Sequence, residues 1–364
     1  MSAPEATLAG GAAGAEIGAV SLGRRLVDLR FIVLSGKGGV GRTTVAAALA
    51  RAAQRAGKRV LVAQTDAAER LGHMLGYRDP TAPIGPVVRT VDRGLDVVNM
   101  TPRESLHQYA LLVLKYEAVY RALFENRAVR GFLSAVPGLD AYAMLGKAWW
   151  HTTEMTGEPG RVGSRRKYDL VILDGPASGH AITMLKIPGA ILATMPAGPL
   201  AKDARALVTL LGDRTQSAFV VVTRAEELPA RETVELVAAA RALPTGPGGA
   251  GALCVGPLVV NALPGHALLE PRVGAVLDRL PRKTGDATLD EVLELAAVSR
   301  EQARAASGVL AELARAPGLP MIGLPALPRT SLGPGDIERL AVRMMAAADP
   351  LSAAAPESPP EPVR

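Results

Sequence analysis

The chain has one cysteine, Cys254, in 364 residues. A disulfide framework needs a second thiol, and so does any multi-thiolate metal site within one chain. A buried, inert thiol is the expected state of Cys254. Aromatic residues are 3% of the composition, and basic residues cluster only at Arg24-Arg25 and Arg165-Arg166-Lys167. The net charge of +6 therefore does not read as a nucleic-acid interface, which needs stacking rings beside a basic stripe. No apolar run of about 18 residues occurs, so no integral membrane segment is expected. The first 20 residues lack a basic start and a compact apolar core, which predicts no secretory signal and a cytoplasmic location. None of the five histidines is spaced H-x-x-x-H, so no catalytic zinc is implied. Lysine is scarce as well, at 8 against 33 arginines.

What is present is an alternation of strands and helices. Short apolar runs stand at 30–35 (RFIVLS), 59–65 (RVLVAQT), 95–100 (LDVVNM), 168–174 (YDLVILD), 218–223 (AFVVVT), 257–263 (PLVVNAL) and 320–325 (PMIGLP). Helical segments are expected at 42–56, 200–212, 231–242, 289–316 and 335–347. Uniformly apolar strands alternating with helices predict an α/β fold, a mostly parallel twisted sheet with helices on both faces. Residues 102–165 interrupt the pattern and read as a helical insert. Tyr109, Leu112, Tyr116, Val119 and Leu123 recur there at helical spacing. That face either packs on the core or, with Met144, Trp149, Trp150 and Met155, lines a groove for a partner helix. Residues 24–348 form the expected folded region. The segments 1–23 and 349–364, small, polar and in the second case proline-rich, read as flexible tails.

The stretch LSGKGGVGRTT, 34–44, carries the chemistry. A strand, a glycine-rich turn and a helix make an anion site, with backbone N–H groups and the helix N-terminus directed at the ligand. Gly36, Gly41 and Thr43 fit the phosphate-loop pattern G-x-x-x-x-G-K-[ST], but Arg42 stands where the lysine belongs. Gly36, Gly38 and Gly41 also fit the dinucleotide fingerprint, and Asp66 ends the second strand where a ribose-binding acid sits. An NAD-dependent oxidoreductase is thus an alternative. Against it stand Thr43 and Thr44, placed where a magnesium-binding hydroxyl belongs, the extra Gly39 and Lys37, and Asp174 at the end of YDLVILD.

SGKGGVGRTT resembles the deviant phosphate loop KGGVGKT[ST] of the SIMIBI-class ATPases. TDAAER (65–70) resembles the switch I segment TDPAHS of the ArsA-type ATPases, which drive arsenical pumps or target tail-anchored proteins. DGPASGH (174–180) resembles their switch II, D-T-A-P-T-G-H, and VVTRAEELPARET (221–233) resembles the strand-turn-helix that follows it. The likeness spans about residues 25–347 and implies a P-loop NTPase whose cofactors are ATP and Mg²⁺.

The roles it implies are specific. Lys37 would reach a partner subunit's nucleotide, and Gly38, Gly39, Val40, Gly41, Arg42, Thr43 and Thr44 would wrap the phosphates beside Gly36. Thr43 would coordinate Mg²⁺, with Asp66 and Asp174 acting through water, and Asp66 would position the attacking water. Gly179 and His180 complete switch II. Asn261 would recognise adenine, and the segment Leu324–Arg329, with Pro325, would flank the base. The implied partners are a second subunit, the same or related, and a protein client such as an apolar helix. Two functions follow, an ATP-hydrolysing switch that moves its helical insert, or a weakly hydrolysing regulatory subunit in which Arg42 impairs turnover.

The chain departs from the family in its thiols. Arsenite recognition and the C-x-x-C zinc staple both need cysteines it does not have. Arsenite and antimonite are therefore expected not to stimulate ATP hydrolysis; a several-fold stimulation that survives Cys254→Ser would contradict the argument from cysteine count.

Overall fold

The computed structural model describes residues 21–346, apart from 66, 68–69, 80, 115–137, 158–162, 245–251, 266–268, 270, 281–283 and 330. Ten strands are described: β1 (Phe31–Gly36), β2 (Val60–Thr65), β3 (Arg89–Asp92), β4 (Leu95–Met100), β5 (Met155–Thr156), β6 (Arg165–Arg166), β7 (Leu170–Ala177), β8 (Ser217–Arg224), β9 (Leu258–Leu263) and β10 (Met321–Pro325). The helices are α1 (Leu22–Val27), α2 (Arg42–Arg55), α3 (Leu71–Leu75), α4 (Pro102–Leu114), α5 (Leu139–His151), α6 (Ser178–Thr194), α7 (Pro199–Gly212), α8 (Glu227–Arg241), α9 (Pro271–Leu277), α10 (Ala287–Arg315) and α11 (Pro334–Ala346).

Eight strands form one sheet in the order β10-β9-β8-β1-β7-β2-β4-β3. All pairs are parallel except β3 with β4. The apolar runs are explained by burial on both faces. Ile32, Leu34, Val60, Val62, Leu170 and Ile172 pack with α1, α2, α3 and α11. Their neighbours Phe31, Val33, Leu61, Ala63, Val171 and Leu173 pack with α4 to α8 on the opposite face. Each strand thus feeds two cores, which is why it reads as continuous rather than alternating. Residues Val45 to Ala50 of α2 are each at most 1% exposed. Five small or short side chains in six let this helix lie between the sheet and α11.

β1 sits between β7 and β8, and the winding of the sheet reverses there. The chain passes from β1 outward to β2 and β4, returns to fill β7, then crosses to β8, β9 and β10. In open α/β sheets the crevice at the carboxyl ends beside such a reversal is the binding site.

Helices α7, α8, α10 and α11 agree with the expected segments within a few residues. In the insert, Tyr109 is buried in the second core and so is Met144, at 8% exposed, while Trp149 is partly buried against it. Those residues serve the core; Met155 is the one clearly exposed, at 37%. The side chain of Leu112 and residues Tyr116, Val119 and Leu123 lie outside the described residues. The insert also carries the two-residue pair β5–β6, too short to leave a periodic signal.

The fold predicts an asymmetry between two glycines of the 36–41 turn. A Cβ on Gly36 would stand 2.1 Å from the backbone oxygen of Val222, whereas one on Gly38 meets nothing within 4 Å. Gly36→Ala is expected to cost about 1–3 kcal/mol by overpacking, seen as a lowered urea midpoint. Gly38→Ala should leave the midpoint unchanged.

Candidate nucleotide site

The turn after β1 is held from both sides. Gly36 passes beneath Val222 of β8, and Val40, 2% exposed, points inward. Gly39 and Gly41 have φ of +85° and +89°, the left-handed region that glycine enters without penalty. Gly41 is the N-cap of α2 and its carbonyl accepts from Val45 N at 3.0 Å. A Cβ at Gly41 would also lie 2.2 Å from the Asn261 amide nitrogen. The turn therefore wraps the amino end of a 14-residue helix, where unpaired N–H groups and the helix dipole favour phosphate.

Three side chains of α2's first turn set the electrostatics. Arg42 folds back across the turn, and its Nη1 donates to the Gly36 carbonyl at 2.8 Å. Burial lowers the Arg42 pKa, and the Asp174 charge works against that. Thr43 Oγ1 donates to Asp174 Oδ2 at 2.7 Å. Thr44 Oγ1 lies 3.8 Å from the Met74 sulfur. Asp174, 5% exposed, stands on β7 in register with Leu34 of β1. Gln64 Nε2 approaches the same Oδ2 at 3.4 Å, and Thr65 Oγ1 donates to the Asp174 carbonyl at 3.0 Å. Burial pushes the Asp174 carboxyl above its usual range, opposed by the Thr43 and Gln64 hydrogen bonds and the Arg42 charge.

Asp66 lies outside the described residues, directly after Thr65, the last residue of β2. Its neighbour Ala67 is pinned by Asn99 of β4, whose Oδ1 accepts from Ala67 N at 3.1 Å and whose Nδ2 donates to Ala67 O at 2.7 Å. Gly179 and His180 are exposed in the first turn of α6, five and six residues beyond Asp174.

Asn261 is buried at the end of β9, and its Nδ2 donates to the Val40 carbonyl at 2.9 Å. It thus clasps the turn. Ala262 follows with φ of +54°, the one non-glycine residue with positive φ among those described, and such strain concentrates at functional sites. Beyond lies a cavity of about 790 Å³ lined by Arg224, Ala262, Pro264, Ala306 and Ala326, next to Pro325. A second, about 510 Å³, is bounded by Lys37 to Val40 and the 224–229 segment. Lys37 Nζ itself is 2.5 Å from Glu232 Oε1 of α8, in a half-exposed ion pair.

Gln64, Asn99, Arg224 and Glu232 were not singled out in the sequence. Arg224 borders both cavities, pairs with Glu226 at 2.9 Å, and has a buried Nε with no partner. Lys37 and Glu232 are 195 residues apart, and no local pattern relates them.

No group of three His, Cys, Asp or Glu among the described residues could hold a metal ion. Magnesium uses one or two protein oxygens and completes its shell with phosphate and water. The Thr43 hydroxyl and Asp174 carboxylate supply such hard oxygens at the mouth of the turn.

Residues 29–198 match the model of a family described as anion-transporting ATPase. The chain is similar to ATPase BagA of Mycobacterium tuberculosis, with 25% identity over 252 residues, 68% of this chain and 69% of the relative. It is similar to ATPase ASNA1 homolog 2 of Paramecium tetraurelia, with 27% identity over 165 residues, 44% of this chain and 45% of the relative. The arsenical pump-driving ATPase of Acidiphilium multivorum is 27% identical over 162 residues, 44% of this chain and 26% of that protein.

Asp174 generates a prediction with a defined sign. A carboxyl whose folded pKa is raised is penalised when ionised; the penalty is absent below its unfolded value, near 3.8, and fully present above the raised one. At pH 7, Asp174→Asn removes that penalty and its amide oxygen still accepts from Thr43. Its nucleotide-free melting temperature should equal or exceed wild type, while the rise produced by Mg-ATP should shrink. A large drop in the nucleotide-free melt would contradict this.

Proposed function

Because this chain belongs to the ArsA-type family of anion-transporting ATPases, we propose that it is an ATP-driven dimeric switch whose own hydrolysis is restrained by Arg42. The observation that carries the reading is the 2.7 Å bond between Thr43 and Asp174, which joins the phosphate turn directly to the strand leading into α6. Magnesium, when bound with ATP, neutralises phosphate charge and orients the γ-phosphate for displacement.

The chain's own residues do the rest. The amides of 37–44 receive the phosphates, and Asn261 keeps the turn in register through Val40. Arg42 holds the Gly36 carbonyl through Nη1, which leaves its other N–H donors for phosphate oxygens; a nucleotide that drew the whole guanidinium away would work against a bond that contributes about 1.5–3 kcal/mol. The planar fork of Arg42 is wider than an ammonium and grips two oxygens rather than standing between them. Thr43 would offer its hydroxyl to the metal in place of Asp174, whose buried carboxylate would then need another partner. Because the Asp174 backbone bonds Thr65, that change is felt beside Asp66, which positions the attacking water, as well as in α6. The switch thereby links the γ-phosphate to the segments on either side of the insert, where a client or partner binds. Asn261, Pro325 and the 790 Å³ cavity hold the adenine.

Lys37 serves a facing subunit's nucleotide. Within one chain its ammonium pairs with Glu232, on the outer side of the turn. The partner is a second copy or a related chain carrying the usual lysine. In the second arrangement this chain acts as the regulatory subunit, and the Arg42–Gly36 contact is what favours it.

Mixed-subunit turnover tests the proposal. Arg42→Lys should raise turnover at this chain's own site, and Lys37→Ala should lower it at the partner's. Asp66→Asn should keep ATP binding and lower turnover about 10²–10⁴-fold, the usual weight of a positioned general base. An active dimer unaffected by Lys37→Ala, or a robust activity abolished by Arg42→Lys, would contradict it.

A further inference from the structure

We propose that a cavity at the amino ends of β1, β8, β9 and β10 binds a single-chain amphiphile with an anionic head. The phosphate turn lies at the carboxyl end of β1, so this is a second site on the opposite end of the sheet. The cavity measures about 780 Å³, within the range of about 300–1,000 Å³ that holds small molecules. Its wall comes from five places in the chain: α1 with Leu29, residues 214–218 at the start of β8, Arg241 at the end of α8, the 252–257 approach to β9, and 318–320 before β10.

The hollow follows from how these segments meet the sheet. β1 and β8 start side by side, since the amides of Arg30 and Phe31 both donate to the Gln216 carbonyl, at 2.8 and 3.0 Å. The 252–256 segment is tied to β8 from the other side. Phe219 N donates to the Cys254 carbonyl at 2.7 Å, and Gly256 N to the Phe219 carbonyl at 2.9 Å. Leu26 of α1 and Leu253 are both buried and both border the space.

Two chemistries meet in the wall. Leu22, Leu26, Leu29, Leu253 and Leu319 supply aliphatic surface, and no aromatic ring stands among the described residues of the wall. An alkyl chain suits it better than a stacked base. Arg25, Arg214 and Arg241 bring guanidinium groups from three separate elements. Arg241 Nη2 donates to the Pro317 carbonyl at 2.7 Å, which steadies the fork and leaves its other donors for a ligand. Arg214 lies beside the thiol of Cys254, whose pKa burial pushes up.

The acids nearby are already matched. Asp28, the one acid in the described wall, faces Lys58 at 2.8 Å and Arg24 at 3.8 Å. Asp213, next to Arg214, accepts from Thr215 N at 2.8 Å, Thr215 Oγ1 at 2.6 Å and Gln216 Nε2 at 2.5 Å. Residues 22–30 carry +2, Lys58 and Arg241 add one charge each, and 213–217, 242–257 and 312–320 are neutral. The balance around the cavity is therefore positive. A guanidinium fork meets two oxygens of a carboxylate or phosphate at once, and an alkyl tail removes the leucines from water. A small inorganic anion would leave the leucines wet, and a neutral lipid would leave the arginines without counter-charge.

Calorimetry on the intact chain tests this with decanoate, decyl phosphate, decanol and decyltrimethylammonium, each below its micelle concentration. One decanoate or decyl phosphate should bind per chain. Decanol should bind at least tenfold more weakly, and decyltrimethylammonium should give no heat. Saturating Mg-ATP should displace neither anion. Arg214→Glu should weaken decanoate at least tenfold, and so should Ala252→Trp, which fills the wall from an exposed position. Arg93→Glu makes the same charge change between β3 and β4, at the far side of the sheet, and should leave binding as it was. Nucleotide-free melting temperatures of all three variants should match wild type. Absence of binding, equal binding of decanoate and decanol, or full binding by both wall variants would overturn the proposal. Pelleting with dioleoylphosphatidylglycerol vesicles but no binding of monomeric decanoate or decyl phosphate would assign this face to a bilayer and overturn it too.

Discussion

The site depends on a close approach that admits no side chain. Gly36 lies beneath the Val222 carbonyl and Gly41 beneath the Asn261 amide, each nearer than any Cβ would permit. Between these contacts the main chain must turn through left-handed conformations at Gly39 and Gly41. The outcome is a row of amides facing outward at the start of α2. The strands supply the other half: β8 presses on one side of the turn, β7 brings Asp174 to the other, and β9 clasps it through Asn261. Sheet order thus decides the chemistry, because only a β1 flanked by β7 and β8 puts these three groups around one loop.

The same arrangement stores opposed charges. Asp174 is buried where an ionised carboxylate is disfavoured, with Thr43, Gln64 and the nearby Arg42 charge as compensation. Arg42 is also partly desolvated and gives one of its donors, Nη1, to the Gly36 carbonyl. Burial disfavours the charged form of both groups. In the proposed switch, nucleotide and magnesium would add charges beside both groups, so that their entry would bear on both contacts at once. Asp174 is joined to α6 by only three residues, Gly175, Pro176 and Ala177, and Ser35 of β1 bonds the Pro176 carbonyl at 2.9 Å.

Much of this was legible in residues 30–65 and 168–174, because burial on both faces leaves uniformly apolar strands and the glycine turn follows one of them. Strand β3, RTVD, escaped because it is a half-exposed antiparallel edge without an apolar run. Helix α6 escaped for the opposite reason; it is apolar nearly all round and holds Pro188, so periodicity is blurred. Tyr109 belonged to a helical stripe that could pack on the core or line a groove, and Met144 was a candidate for the same groove; burial in the second core assigns both to packing. Lys37 was conspicuous in a lysine-poor chain, yet its partner Glu232 comes from a distant helix and had no signature. Asn261 was expected to recognise adenine; its bond to the Val40 carbonyl follows from tertiary contact and had no signature in the sequence.

Equilibrium titration of the intact chain with ATP, followed by calorimetry with and without magnesium, addresses the central claim most directly. Residues 36–44 should bind one nucleotide per chain, with affinity that falls sharply when magnesium is chelated and with NAD giving no heat. Absence of ATP binding at every magnesium concentration, or binding of NAD in its place, would contradict the account.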